Sequence, residues 1–356
     1  MAKLTSPKIS VSFTELGISA ISRGTKGTVA MIVRDAAELA PVVLTQAAQI
    51  PAELGKENQD YIKRAFVGYV NPPKKVIVCT VAADAALSDA LTYMASQDFD
   101  YLVGPADCSA EETAEIASWI RSQRQLSAVK HKAVLPNQPA DHSGIVNFTT
   151  GTLTAGDVVY TTAEYCSRIA GLLAGTPMKI SATYAPLTDL TDVSRLTAEE
   201  EDTAVGNGEL IAIWDGRKAK LNRAVTSLVT TTEGMLDSFK KIKIVEIMDL
   251  IRTDIHITAE DEYIGKYANT YDNKMLLVAA IRGYFAGLER DSLVQPGYTV
   301  EIDVEAQELY LQSMGKDTGE MSEQKIKEAD TGTHVFLKIS CKILDAIEDI
   351  DIVIEI

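Results

Sequence analysis

The sequence predicts an α/β protein: a mixed, largely parallel sheet core with flanking helices, followed by an α+β C-terminal domain, with extended β arms at both chain ends. Three observations carry this expectation. Short β-branched runs alternate with amphipathic stretches from Lys74 to about Gly175; strict period-2 alternation occupies both termini; and pattern and charge change together near Gly234. A length of 356 residues suggests about two domains at roughly 150 residues each.

The elements follow in order. Val76-Ile77-Val78-Cys79, after the Pro72-Pro73 break, reads as a buried strand. Leu87, Ala90, Leu91 and Met94 recur at helical spacing behind Asp84, which is suited to capping them. Tyr101-Leu102-Val103 is a second strand, stopped by Gly104-Pro105. Ser109 and Glu112 have capping-box spacing ahead of a helix whose apolar stripe is Ile116, Trp119 and Ile120. Ala133–Leu135 and Ile145–Phe148 are further strands. Thr161 and Glu164 open a helix carrying Tyr165, Ile169, Leu172 and Leu173 as far as Gly175. Strands separated by helices need crossover connections, hence a parallel sheet covered on both faces.

Farther on, Leu210–Trp214 reads as a strand, Asp215-Gly216 as a hairpin turn, and Leu221–Leu228 as an edge strand. Ile244, Met248, Ile251 and Ile255 mark a long helix, and Met275–Leu288 another. Tyr298–Val304 is a strand and Glu305–Met314 a short helix. Residues 235–356 hold 24 acids and 13 bases. The expected division is an N-terminal arm (1–22), an α/β core (23–234), a C-terminal domain (235–344) and a C-terminal arm (345–356).

Composition removes several function classes. Acids outnumber bases 50 to 34, a net charge of −16 that opposes direct nucleic-acid binding. Cys79, Cys108, Cys166 and Cys341 form no C-x-x-C pair and read as reduced thiols. The N-terminus lacks a leader's apolar segment, and the Met275–Ile281 run is too short to span a bilayer, so the expectation is a soluble protein made inside the cell, with no membrane insertion. His131, His142, His256 and His334 have no metal-ligand spacing, so no metal or cofactor is expected. Asp141-His142-Ser143 are adjacent and cannot converge as a triad, so this stretch reads as a solvated turn. Glu199–Asp202 after Thr197 reads as a solvated first helical turn. Arg23–Thr28 precedes a strand, the wrong order for a phosphate loop, and reads as a hinge at Gly24 and Gly27, with Gly17 farther out. No constellation supports catalysis.

The two ends are the most informative segments. Ile350, Ile352, Ile354 and Ile356 alternate with Asp349, Asp351, Val353 and Glu355, a period-2 strand that runs to the last residue. Burying four isoleucines is worth roughly 6–12 kcal/mol gross, so something must cover this strand. Val335, Leu337, Ile339, Cys341 and Ile343 alternate just before it. Ile9, Val11 and Phe13 form a third such strand. Residues 1–30 carry Lys3, Lys8, Arg23 and Lys26 against Glu15, whereas residues 345–356 carry five acids and no base. Opposite charges at the two ends suit cross-strand pairing. Two arrangements satisfy this pattern: the ends pair within one molecule, or each completes a sheet in a neighbouring copy. In the second case the contact is heterologous and propagates into a ring or a helical lattice.

The ordered set Arg23-Gly24-Thr25-Lys26-Gly27, Ala140–Asn147, Leu221–Thr232, Lys240–Asp254 and Val335–Ile356 resembles the tail sheath proteins of contractile phage tails and R-type, phage-tail-like bacteriocins, particularly the short sheaths of Gram-positive bacteria. The resemblance spans nearly the whole chain by order of elements, though no single motif is a strict signature. It implies a structural protein, not an enzyme, that forms helical homo-oligomers of stacked hexameric rings around a tail tube protein, capped by baseplate and terminator proteins. It also implies arms donated to neighbours: Lys3, Lys8, Ile9, Val11 and Phe13 in one, and Asp349, Ile350, Asp351, Ile352, Ile354, Glu355 and Ile356 in the other. The recipient strands would carry Val300, Ile302, Val335, Leu337, Ile339 and Ile343. Gly17, Gly24, Gly27 and the Asp345–Asp349 link would act as hinges. Tube contact would lie in Glu305–Met314 or Ser322–Glu328, and the outer domains of larger sheaths would be missing. Such a sheath would assemble in the bacterial cytoplasm and leave it in a virion or phage-tail-like particle. The competing readings are an enzyme on the α/β core and a closed-ring adaptor of a phage-like particle.

Overall fold

Successive residues of a strand face opposite sides of its sheet, and the first strand among the described residues, β1 (Thr28–Arg34), is buried on both. Val29, Met31 and Val33 point into one apolar cluster, Ala30 and Ile32 into another. The same split recurs in β3 (Lys75–Val81), β4 (Tyr101–Val103), β5 (Lys132–Pro136) and β6 (Ile145–Phe148). With β2 (Val42–Leu44) and β10 (Glu209–Leu210) they form a seven-stranded sheet, ordered β10-β6-β5-β4-β1-β3-β2, in which only β2 is antiparallel. The computed structural model describes residues 20–37, 39–126, 130–232 and 237–355.

Helices cover both faces, as the crossovers require. On one side lie α1 (Lys56–Ala65) and α4 (Thr162–Ala174), contributing Tyr61, Ile62, Tyr165, Ile169, Leu172 and Leu173. On the other lie α2 (Ser88–Met94) and α3 (Ala110–Leu126), contributing Leu87, Leu91, Met94, Ile116 and Ile120. The capping boxes form: Ser109 with Glu112 before α3, Thr161 with Glu164 before α4, and Thr197 with Glu200 before α5 (Ala198–Gly206). Asp84 does not cap; α2 opens at Ser88 with no side-chain cap. β7 (Leu153–Ala155), β8 (Val158–Tyr160) and β9 (Asp192–Val193) make a small antiparallel sheet. The expected strand Leu210–Trp214 is two: β10 ends at Leu210, and β11 (Ala212–Trp214) pairs in a hairpin with β12 (Ala219–Leu221). The hydroxyl of Thr150 accepts the Ala212 N–H at 2.7 Å where the chain changes sheets. β12 stops at Leu221, so residues 222–228 form no edge strand but a stretch held by scattered bonds, among them Ser227 N–H to the Ile145 carbonyl.

The described chain divides into two compact units. One comprises Arg23–Ile257, Leu288–Gly297 and Cys341–Ile356 and contains the large sheet. It continues past the boundary expected near Gly234, because α6 (Ile242–Thr258) sends its acids into the sheet unit. Glu246 pairs with Lys26 at 2.5 Å and accepts from the Tyr101 hydroxyl, and Asp249 takes Arg124 through two 2.8 Å bonds. Arg168 is buried in the same unit, its Nε 2.9 Å from Asp189 and its Nη1 donating to the Gly68 carbonyl at 2.8 Å. A buried guanidinium is tolerable only with such partners.

The second unit comprises Thr258–Gly287 and Tyr298–Ser340. A π-helical turn at Ala259–Tyr263 precedes α7 (Tyr271–Arg290). Strand β13 (Thr299–Ile302) is shorter than expected because Asp303 caps α8 (Val304–Ser313), accepting from the Ala306 N–H at 3.0 Å. Ser322 caps α9 (Glu323–Glu328), and β14 (Leu337–Ser340) returns antiparallel to β13. Val278, Ile281, Phe285, Val300, Ile302, Leu311 and Ile326 are among its buried apolar residues.

The Asp141–Gly144 stretch joins two parallel strands without a helix and is half-buried, not a freely solvated turn. Asp141 Oδ1 accepts from Val229 N–H at 2.7 Å and Thr230 N–H at 2.9 Å, and His142 Nδ1 accepts from Gly144 N–H at 3.0 Å. Burial, then the charges of Arg124 and Arg121, lower the His142 pKa to about 4. The folded chain therefore keeps His142 neutral where the unfolded chain would protonate it, and stability falls as pH drops from about 6.5 towards 4. In thermal melts across that range, H142Q should show a shallower loss than the parent. Gly171 in α4 sits where an added Cβ would lie 1.9 Å from the Ala65 carbonyl oxygen of α1. G171A should cost about 1–3 kcal/mol in urea unfolding by forcing the two helices apart.

Candidate inter-subunit site

The last residues of the chain pass from full support to none. Beyond β14, Lys342–Leu344 runs antiparallel to Leu293–Gln295, with Gln295 N–H donating to Lys342 O at 2.8 Å and Leu344 N–H to Leu293 O at 2.9 Å. A cluster of acids follows. Asp345 lies 2.5 Å from Lys241 Nζ. The Glu348 side chain is only 5% exposed; its Oε1 accepts from Ser181 Oγ at 3.0 Å and Thr183 Oγ1 at 2.6 Å. Its Oε2 stands 3.3 Å from Lys241 Nζ without hydrogen-bond geometry, and 4.0 Å from Arg223 Nε, so these contacts are Coulombic. Asp349 accepts from Arg223 Nη2. Burial works to lower the Lys241 pKa, yet its bond to Asp345 and the charge of Glu348 carry it above the ordinary value; the Arg223 pKa is raised, chiefly by Asp349.

Past Asp349 the apolar side chains have no cover: Ile350 is 71% exposed, Ile352 76%, Val353 88% and Ile354 79%. The expected strand has not formed in the single chain, because an extended segment without a ladder partner has nothing to hydrogen-bond with. Asp351 and Glu355 alternate with these residues as expected. Ile356 lies outside the described residues, as do Lys3, Lys8, Ile9, Val11, Phe13 and Gly17.

The other expected residues divide. Val300 and Ile302 are in β13, paired with Ile339 and Leu337 of β14. Val335 precedes β14, and Ile343 bridges Val294 within the sheet unit, so neither lies in the β13–β14 pair. Gly24 and Gly27 are pinned, not hinged. Gly24 N–H donates to Asp254 Oδ1 at 2.9 Å, and Gly27 and Thr28 N–H both donate to Asp100 Oδ2 at 2.8 Å. Gly27 has φ +132° and packs on Lys74, so glycine is needed there for conformation and close approach. The Asp345–Asp349 link is likewise a clamp and not a free tether. Its partners Ser181, Thr183, Arg223 and Lys241 escaped sequence reasoning, since nothing local in the chain pairs them with acids more than a hundred positions away.

This arrangement offers an anchored root, an uncovered apolar tail and a small two-stranded sheet. E348A should leave the sheet core as protected as before in hydrogen exchange, while exchange at residues 342–349 rises at least several-fold.

The comparisons with known proteins agree along the chain. The family model described as the phage tail sheath protein central domain matches residues 80–227, and that of the phage tail sheath C-terminal domain matches residues 237–356. The chain is 38% identical over 349 residues to the tail sheath protein of Clostridium phage phiCD119, covering 97% of each. Its fold is similar to that of the sheath tail protein of Desulfitobacterium hafniense, with a TM-score of 0.69 at 16% identity over 83% of this chain and 94% of that one. It is similar too to a chain of an extracellular contractile injection system, the PVC sheath complex in its contracted state, with a TM-score of 0.68 at 11% identity over 100% and 98%. With family models covering most of the sequence and a relative this close over nearly its full length, the chain belongs to the phage tail sheath proteins, a structural subunit and not an enzyme.

Proposed function

We propose that copies of this chain polymerise helically around an inner tail tube, as stacked hexameric rings, by lending their terminal strands to neighbours. The observation that carries the reading is the uncovered run Ile350–Ile354 on a rooted tail. An apolar alternating strand in water is unfavourable, and addition to another copy's sheet supplies both main-chain bonds and burial. Residues near Ile9–Phe13 would act likewise at the other end, with β13 and β14 receiving.

In this reading the sheath shortens as its subunits shift as rigid bodies between two lattices, driving the tube through an envelope. The clamp at Glu348 keeps each tail attached to its own subunit while the surfaces between subunits repack. The tube contacts α8 or α9, and baseplate and terminator proteins close the ends. Assembly takes place in the bacterial cytoplasm, and the sheath leaves in a virion or a phage-tail-like particle.

Deletion of Ile350–Ile356 removes the lent strand but spares the clamp. The truncated chain should stay folded by circular dichroism and sediment as a monomer. Electron microscopy should show none of the tubes formed by the parent; abundant tubes would end the strand-lending reading.

A further inference from the structure

The sheet unit holds a cavity of about 540 Å³ beside the clamp, walled by residues 179–184, Ser292, residues 344–348 and Lys243 of α6. Lys243 is its anomaly. The residue is 5% exposed, yet its ammonium has no hydrogen-bond or ion-pair partner among the described residues. The other buried lysines described, Lys130, Lys132 and Lys274, all donate to oxygen acceptors. A charge taken out of water with nothing set against it is among the costliest arrangements in a fold. Burial lowers the Lys243 pKa, while Asp345 and Glu348 pull it upward without pairing with it.

The rest of the wall defines what can answer that charge. Asp345 and Glu348 are engaged by Lys241, Ser181 and Thr183. The hydroxyls of Tyr184 and Ser292, by contrast, have no partner among the described residues. Both residues hold positive φ, +59° and +57°, a conformation that non-glycine residues keep only where their surroundings impose it. The mouth is apolar: Ile180 is 38% exposed, Tyr184 53% and Ile347 86%. A buried cation therefore lies behind a rim of exposed apolar side chains.

We infer that this cavity binds a small monocarboxylate with an apolar body, its carboxylate on Lys243 and its body against Ile180, Tyr184 and Ile347. The volume suits a small molecule. The Lys243 ammonium supplies the charge-assisted bond, and the Ser292 and Tyr184 hydroxyls are free to donate to the same head group. A dianion such as phosphate fits less well, because Asp345 and Glu348 line the same cavity and repel it more strongly. A neutral ligand leaves the ammonium unmet. The site lies within one chain and does not depend on strand lending. When filled, it ties residues 344–348 to α6 through the ligand, beside the direct bond from Lys241 to Asp345.

The probe is hexanoate, titrated into the full-length protein by calorimetry at constant ionic strength, with inorganic phosphate and hexanol as controls for charge and for body. Hexanoate should bind one site per chain with a Kd of about 1 mM or tighter, within reach of a ligand this small. It should also slow hydrogen exchange across residues 179–184 and 344–348 several-fold. Phosphate and hexanol should each bind about tenfold more weakly or worse. K243M should lose hexanoate binding and yet melt higher than the parent in ligand-free buffer, since an apolar side chain of similar length removes a buried unpaired charge. I347S, at an exposed position, should fold as the parent does and weaken hexanoate several-fold. Phosphate or hexanol binding as well as hexanoate, hexanoate binding undiminished in K243M or I347S, or no saturable binding by the parent would overturn the assignment. So would a lower melting temperature for K243M, which would mean that the ammonium is paired in the folded chain.

Discussion

Glu348 is a carboxylate taken almost wholly out of water, and the behaviour of the chain's end depends on how that charge is met. Two hydroxyls, a lysine and an arginine surround it, and the acids on either side, Asp345 and Asp349, use the same two cations. Removing a partner from such a cluster leaves a buried charge uncompensated, which is why the segment stays down without a sheet to hold it. Asp349, the last residue with an ionic partner among those described, directly precedes the uncovered Ile350–Ile354 run, and within the clamp Ile347 is itself 86% exposed.

A second set of polar anchors settles the other side of the sheet unit. Glu246, Asp249 and Asp254 recur along α6, and between them they take Lys26, Tyr101, Arg124, Lys132 and the Gly24 amide. The segment leading into β1 is thereby bound at several points. Glycine-rich sequence there reflects tight backbone approach, not freedom.

Much of the fold was legible because period and capping are local properties. The buried strands from Val76 to Phe148 showed themselves as β-branched runs, and the boxes at Ser109, Thr161 and Thr197 formed as their spacing implied. What was not legible depends on distant partners. The break at Ile211 comes from a Thr150 hydroxyl, and the Asp349 clamp from an arginine 126 positions away. Asp84 has the right chemistry for a cap, but the chain turns before the helix begins. At the assembly site, the alternation and acidity of the tail could be read directly. The bonds from Arg282 to the Val300 carbonyl could not, since they join residues 18 positions apart on different elements.

The acids that interrupt the apolar tail bear on the pool of subunits not yet incorporated. Two free tails stacked in register would set Asp351 against Asp351 and Glu355 against Glu355, a mutual repulsion in each rung. Tail-on-tail fibrils are thus discouraged, and these carboxylates serve as gatekeepers against amyloid-like stacking.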